Sequence, residues 1–519
     1  MTTTKSSELQ RHRALYQKTI KIFGPPGTGK THTLIERVLK GYLKKGVHPN
    51  NIAFISFTNK AVNTARDRAL AAFPQFTTED FTRFKTLHKY CRRYFKEEVF
   101  DPKNCMLDYA MEAKIIKTSD TRLADDNFTY KDWSLGVYDK ARNMMEDPRL
   151  TYKKDSFIDF TDMILRAVDE VNFPPLDVLI LDEAQDFTPL QWSVIYKMAD
   201  NVKRIYLAGD DDQGIYRWNG ADPKYFTTYF PGRKVILRKT RRFGEAIHHF
   251  SKVIRRGILD SVEKEYDCQD KQGTVKRYLS FQEVPITELK GTWYILGRVN
   301  TTVNELRMCA KEAGLYFSNN SGTKSFDKKQ WIAIKAWTRL SNQKPLNRES
   351  AEIMYQYLRD IKDPDYRTQK FWLKMPNTDI YDFDYLVEFC GLDLPVETKE
   401  LVWWKVLQRN FKPEQVNYFV RLLKNYGQKA LDKEPQIIID TIHSVKGGEA
   451  DNVLLYSKTN WPSAFSHKNR EEQSDEKRVY YTGATRAKDT LHLLSTDHQY
   501  NYPMGEDYFV YLQESKYEQ

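Results

Sequence analysis

The sequence predicts an α/β protein made of two units, each built on a parallel sheet and each interrupted by a mostly helical insert. Three observations carry this reading. Short, continuous apolar runs recur (TIKIF at 19–23, NIAFISF at 51–57, DVLIL at 177–181, RIYLAG at 204–209, KVILRK at 234–239). Unbroken apolar strands of this kind suit a parallel sheet covered on both faces. Most runs end in a turn of Gly, Asp or Thr and lead into a helical pattern, as in GPPGTGKT followed by THTLIERVLKGYL. A second set of runs, TWYILG at 292–297, IIID at 437–440, NVLLY at 452–456 and DTLHLLS at 489–495, comes after a long interval. The expected boundaries are 1–88 with 156–236 for the first unit and 89–155 for its insert. They are 237–325 with 435–519 for the second unit and 326–434 for its insert. The four pieces fit the domain count expected of 519 residues.

Composition narrows the function classes. No apolar run approaches the ~20 residues of a membrane helix, and the opening MTTTKSSELQRHR has no apolar core of a secretory signal. The five cysteines (Cys91, Cys105, Cys268, Cys309, Cys390) are scattered without a CxxC pair, which argues against a disulfide scaffold or a zinc ribbon and for a reducing compartment. The formal charge of +11 leans toward polyanionic partners. With aromatics at 13%, the chain can supply both phosphate neutralisation and base stacking.

Gly24-Pro25-Pro26-Gly27-Thr28-Gly29-Lys30-Thr31 fits GxxxxGK[ST] between a strand-like run and a helical one, the context that pattern requires. Its glycines let backbone N–H groups wrap phosphate oxygens. Lys30 is expected at the β- and γ-phosphates of ATP and Thr31 at Mg²⁺. Asp182 and Glu183 end an apolar run, so Asp182 is expected to share the Mg²⁺ with Thr31 and Glu183 to activate the attacking water. Gln213, in Gly209-Asp210-Asp211-Asp212-Gln213, is placed to sense the γ-phosphate or to orient water.

Tyr216 and Trp218 follow at once and offer stacking surfaces for a base. Phe57, Thr58 and Asn59 join a strand to a helix, and Thr86 and His88 hold a similar position; such helix starts bind phosphate. An arginine such as Arg242 or Arg486 can stabilise charge on a transferring phosphoryl group, though spacing alone does not choose these two among 81 basic residues.

Taken in order, these strings resemble the motifs of the UvrD/Rep/PcrA group of superfamily 1A helicases. GPPGTGKT resembles Walker A, FTNKA motif Ia, FKTLH motif Ib, LDEAQD motif II, GDDDQGIYRWNGA motif III, LGRVN motif IVa, DTIHSVKGGEADNV motif V and DEKRVYYTGATRA motif VI. The likeness runs from about residue 20 to 495. It implies two RecA-like P-loop NTPase domains, ATP and Mg²⁺ as cofactors, and stepping along single-stranded DNA, 3′ to 5′, with strand separation. Catalysis would fall to Lys30, Asp182, Glu183, Gln213, Arg242 and Arg486, with Thr31 and Asp182 at the metal. Nucleotide binding would add Gly24, Pro25, Gly27, Thr28, Gly29, Gln10 (favoured over Gln17 as the adenine reader), Arg241 and Glu449. Arg298, Asn300, Thr441, His443 and Ser444 would join Phe57, Thr58, Asn59, Thr86, His88, Tyr216 and Trp218 along the DNA strand.

Two departures stand out. Motif IV reads Lys239-Thr240-Arg241-Arg242-Phe243 where the family has QNYRS, so Arg241 replaces the adenine-stacking Tyr. Motif V has Gly448 where the family usually has Leu. The second expectation, favoured by short inserts, is a translocase that displaces bound proteins and unwinds little. The expected partners are single-stranded DNA, junctions with duplex, and replication or repair proteins. The chain is expected to be an intracellular monomer with no membrane partner.

Overall fold

The computed structural model describes residues 2–96, 98–99, 157–158, 160–393, 402–459, 469–497, 501–504 and 508. The chain divides into two compact units, residues 1–275 with 460–490 and 502–519, and residues 276–459 with 491–501. Each is described by itself.

The first unit holds strands β1 (Thr19–Phe23), β2 (Ile52–Ser56), β3 (Phe84–Thr86), β4 (Glu98–Val99), β5 (Phe157–Ile158), β6 (Leu176–Asp182), β7 (Val202–Gly209) and β8 (Arg233–Ile236). Six of them form one sheet in the order β3-β2-β6-β7-β1-β8, while β4 and β5 pair separately. Every neighbour in the six-stranded sheet is parallel. The apolar runs become strands because both faces are covered: every residue of β2 and residues 178–182 of β6 are buried. The helix Asn59–Ala72 covers one face with Val62, Ala65 and Ala69. The helix Pro189–Asp200, capped by Thr188 and Gln191, covers the other with Trp192, Ile195 and Met198.

Register aligns the strand ends. Ser56 pairs with both Thr86 and Asp182, and Phe23 pairs with Gly209. The carboxyl ends of β1, β2, β3, β6 and β7 therefore open on one edge of the sheet, where ligands of open α/β sheets sit. The edge strand β8 is basic at Arg233 and Lys234, a charge pattern that discourages strand addition. Of the first expected insert, residues 97 and 100–155 lie outside the described residues.

The second unit carries the sheet β11-β12-β10-β13-β14-β9. Its strands are β9 (Thr274–Tyr278), β10 (Trp293–Gly297), β11 (Phe317–Ser318), β12 (Ile437–Thr441), β13 (Ala450–Tyr456) and β14 (Ala487–Leu494). β10 runs parallel to β12 and β13, and β11 to β12. The described residues of the second expected insert are mainly helical, with helices at Lys328–Ser341, Arg348–Tyr355, Phe383–Phe389 and Pro413–Tyr426. They do not form a core of their own. Trp331, Trp337, Tyr355, Trp372 and Phe419 pack in one continuous cluster with Ile295, Ile439 and Leu454 of the sheet.

Trp331 belongs to that cluster. Its ring lies parallel to Phe419 at 6.3 Å, and its Nε1 donates to Asp432 Oδ1 at 3.0 Å. Trp331→Ala removes a buried ring and leaves a cavity in this cluster, so the unfolding free energy should fall by ~3–5 kcal/mol in urea titration. A loss below ~1 kcal/mol would mean that Trp331 is not packed in this core as described.

Candidate functional site

At Phe23 the chain leaves the sheet through the loop 24–29. Gly24 N donates to Gly209 O at 3.1 Å, which ties the loop to the end of β7. Thr28 closes it by donating from both N (3.2 Å) and Oγ1 (2.8 Å) to Pro25 O. Gly27 and Gly29 take φ of +74° and +83°, the left-handed region that favours glycine. Lys30 lies across Gly24 and its Nζ donates to Gly24 O at 2.6 Å. A Cβ at Gly24 would stand 2.2 Å from Lys30 Cγ, so glycine is what lets the lysine reach over the loop.

Thr31 Oγ1 donates to Asp182 Oδ2 at 2.6 Å, and Glu183 N donates to Asp182 Oδ1 at 3.1 Å. Asp182 is fully buried, and that burial, together with the neighbouring Glu183 charge, pushes its carboxyl up to about 7. Such a carboxylate is short of positive charge. A hydroxyl and a carboxylate meeting at one point are the hard oxygen donors that Mg²⁺ takes, so the residues present fit that ion. Glu183 adopts φ 56°, ψ 45°, uncommon for a residue with a side chain. Gln185 Nε2 donates to its Oε2 at 2.6 Å, while Gln185 Oε1 accepts from Asp210 N at 3.0 Å. Gln185 thereby joins the acidic end of β6 to the acidic end of β7.

Gln213 Nε2 donates to Asp210 Oδ2 at 2.6 Å, and Gln213 Oε1 accepts from Arg486 Nη2. Arg486 is buried and also donates from Nε to Thr482 O at 3.0 Å, at the end of the helix Arg470–Ala484. The motif IV segment packs on the phosphate loop. Thr240 Oγ1 donates to Pro26 O at 2.7 Å, Arg241 N donates to Gly27 O at 2.8 Å, and Arg242 donates from Nη1 to Thr485 O at 2.9 Å. Lys30, Thr31, Asp182, Glu183, Gln213, Arg241, Arg242 and Arg486 all belong to the first unit. Gln10 lies on an exposed face of the helix Thr2–Lys18.

The aromatic candidates gather beside this edge. Phe57 stacks on Tyr216 with centroids 4.8 Å apart, and Thr58 caps the helix Asn59–Ala72 by accepting from Ala61 N at 3.3 Å. Asn59 opens that helix, and both it and Thr58 are exposed. Thr86 precedes the helix Leu87–Arg92, and His88 meets Phe160 edge-on at 5.6 Å. Trp218 is 60% exposed, an unusual position for the largest apolar side chain and one suited to stacking on a base.

Arg298, Asn300, Thr441, His443, Ser444 and Glu449 belong to the second unit. Gly297 at the end of β10 pairs with Thr441 at the end of β12, which brings Arg298 and Asn300 level with the motif V turn. Ser444 N donates to Thr441 Oγ1 at 3.2 Å, and Asn320 Nδ2 donates to Ser444 O at 2.7 Å. Glu449 is exposed just before β13. The glycine at 448 has a packing reason: a Cβ there would lie 2.3 Å from the Tyr294 hydroxyl.

Sequence reasoning missed Gln185, Thr240 and, above all, the cations that serve Asp210, Asp211 and Asp212. All three aspartates are buried. Lys264 Nζ pairs with Asp210 and Asp212 at 3.0 Å each and with Asp211. Arg255 pairs with Asp212 at 2.8 Å, and Arg478 donates to Asp211 O at 3.1 Å. Burial disfavours the charged forms, but Lys264 and then Lys30 hold the Asp210 carboxyl below its usual range, and the three carboxylates hold Lys264 above its own. Three adjacent aspartates after a buried strand were the available signal, since buried carboxylates require cations.

Gly27 gives a direct test of the loop. A Cβ at this position would stand 2.4 Å from Arg242 Cβ and 2.5 Å from Thr240 Oγ1, at a φ that also costs an L-residue roughly 1–2 kcal/mol. Gly27→Ala should weaken binding of a fluorescent ATP analogue by about tenfold or more, with the circular-dichroism spectrum retained. Unchanged affinity would show that the loop and motif IV do not meet as described.

The family model of the UvrD/REP helicase N-terminal domain matches residues 5–156 and 138–230, and that of the UvrD-like helicase C-terminal domain matches residues 404–498. The ATP-dependent DNA helicase PcrA of Bacillus subtilis is 23% identical over 90% of this chain and 79% of its own length. A probable DNA helicase II homolog of Mycoplasma capricolum is 23% identical over 94% of this chain and 83% of its own. Among solved structures, the arterivirus nonstructural protein 10 helicase in complex with DNA aligns over 94% of this chain and 63% of that chain, at 12% identity and a TM-score of 0.35. On the two family models and the motifs they cover, the chain belongs to the UvrD-like helicase family.

Proposed function

We propose that this UvrD-like helicase is an ATP-dependent DNA helicase that walks along single-stranded DNA, 3′ to 5′, and separates strands as it goes. The observation that supports this most is one edge of one sheet. The phosphate loop, the Thr31–Asp182 pair and the Gln213–Arg486 pair meet at the ends of β1, β6 and β7, and the exposed Trp218 follows five residues after Gln213.

Each residue then has a role set by its chemistry. The loop 24–29 wraps the phosphates, and Lys30 trades its bond to Gly24 O for phosphate oxygens. Thr31 and Asp182 would hold Mg²⁺, which when bound neutralises charge between the β- and γ-phosphates. Glu183 takes the proton of the attacking water. Gln213 positions that water or the γ-phosphate, and Arg486 and Arg242 offset the charge that develops on the transferring group. Arg241 stacks on the base in place of tyrosine, as a planar guanidinium can. Gln10 and Glu449 are assigned to the adenine and ribose ends of the nucleotide. Phe57, Tyr216 and Trp218 stack on bases, while Thr58, Asn59, Thr86, His88, Arg298, Asn300, Thr441, His443 and Ser444 track the strand.

Duplexes with a 3′ or a 5′ single-stranded tail test the polarity: unwinding is expected only from the 3′ tail. Unwinding only from the 5′ tail would reverse the assigned direction. DNA-stimulated hydrolysis with protein displacement but no unwinding from either tail would replace the helicase reading by a protein-stripping translocase. Glu183→Gln should retain ATP binding and lose hydrolysis by about 10²-fold or more; near-normal turnover would remove Glu183 as the base. Trp218→Ala should weaken single-strand binding by ~1–3 kcal/mol in fluorescence titration, and an unmoved affinity would return Trp218 to a surface role.

A further inference from the structure

Lys264 belongs to none of the motifs, yet it is the most completely buried cation of the first unit's acidic cluster, with a side chain 1% exposed. Its segment is built to deliver it. Arg255, at the end of the helix Glu245–Arg255, donates to Val262 O at 2.7 Å and Lys264 O at 3.1 Å, and Val262 N donates to Asp211 Oδ2 at 2.7 Å. Ser261 Oγ donates to Asp212 Oδ1 at 2.5 Å. Arg255 pairs with Asp212 beside Lys264, while Arg478, itself paired with Asp475, donates to the backbone oxygen of Asp211.

Neutralisation alone does not account for the geometry. Lys264 Nζ meets Asp210 Oδ1 at 3.0 Å, while the other oxygen, Oδ2, accepts Gln213 Nε2 at 2.6 Å. An amide that gives its NH₂ to Asp210 must turn its carbonyl oxygen the opposite way. That oxygen is the one Arg486 Nη2 reaches. A rotated or protonated Asp210 would leave the Gln213 amide free to flip, and a flipped amide presents a donor to a guanidinium that is itself only a donor.

We infer that Lys264 is a positioning residue for the phosphate-facing pair: its ammonium fixes Asp210, Asp210 fixes the Gln213 amide, and the amide holds Arg486. The inference rests on the reading of Gln213 and Arg486 as groups that act on the γ-phosphate. It assigns to a residue outside every motif a share of turnover that acts at a distance from the nucleotide.

Removing one charge from a buried cluster risks unfolding, so the test variant is charge-balanced. Lys264→Met with Asp211→Asn deletes one cation and one carboxylate and leaves Asp210, Gln213 and Arg486 in place. Steady-state ATP hydrolysis with saturating single-stranded DNA is measured for this variant, for Gln213→Ala and for the two combined, with thermal melting of each. The expected result is a folded protein whose KM for ATP moves less than about 3-fold while kcat falls about 10-fold or more. In the Gln213→Ala background the same change should cost less than about 2-fold, because its route is already cut. An unmoved kcat, or a full multiplicative loss on top of Gln213→Ala, would overturn the inference and leave Lys264 a structural counter-ion. If the balanced variant does not fold, Lys264→Arg, which keeps the charge and changes the reach, is taken through the same cycle. A fall in kcat that vanishes in the Gln213→Ala background then supports the positioning role, and an unmoved or multiplicative kcat overturns it. Absence of hydrolysis in the unaltered chain would instead sink the ATPase reading, and this inference with it.

Discussion

The buried carboxylates at the end of β7 set the terms for the rest of the first unit. Asp210, Asp211 and Asp212 are each at most 1% exposed, and three such charges cannot be buried without partners. The charged partners are Arg255 and Lys264, and Arg478 adds a bond to the backbone oxygen of Asp211, so the acidic turn is tied to two distant parts of the chain. This constraint brings the helix Arg470–Ala484, and Arg486 just beyond it, to the edge that carries the phosphate loop. A second ion pair acts in the same sense: Arg217, between the aromatic residues Tyr216 and Trp218, pairs with Asp475 of that helix at 2.9 Å. The turn that offers Trp218 to solvent and the helix that leads to Arg486 are therefore held together.

Much of the site was legible because its chemistry is local in sequence. A phosphate loop needs glycines at fixed spacing before a lysine, and the positive φ of Gly27 and Gly29 and the reach of Lys30 over Gly24 follow from that spacing. The apolar runs read as parallel strands because both faces are covered, and the register that aligns Ser56, Thr86 and Asp182 came from tertiary pairing alone. Lys264 was not legible. It lies 54 residues from Asp210, in a segment without a pattern, and a lone lysine among 81 basic residues carries no signal. The same holds for Tyr294, whose hydroxyl explains the glycine at 448 across 154 residues.

The second unit follows a different logic. Its insert contributes tryptophans and tyrosines to the core under the sheet, so sheet and insert are stabilised by the same apolar burial. The motif V turn at the carboxyl end of β12 buries Ile442 and Val445 and exposes Ser444 and Glu449, with Asn320 donating to Ser444 O and Ser444 N to Thr441 Oγ1. A rigid sheet edge with an exposed polar turn is the arrangement expected where a loop carries function on a stable scaffold.

If the edge at the ends of β1, β6 and β7 hydrolyses ATP in response to a DNA strand, the coupling is visible in a single quantity. That quantity is the steady-state rate of ATP hydrolysis of the full chain, in Mg²⁺, with and without single-stranded DNA, across a salt series. A slow basal rate, a several-fold or greater stimulation by DNA, and a steep loss of that stimulation as salt rises are expected. Hydrolysis that is indifferent to DNA at every salt concentration would contradict the assignment.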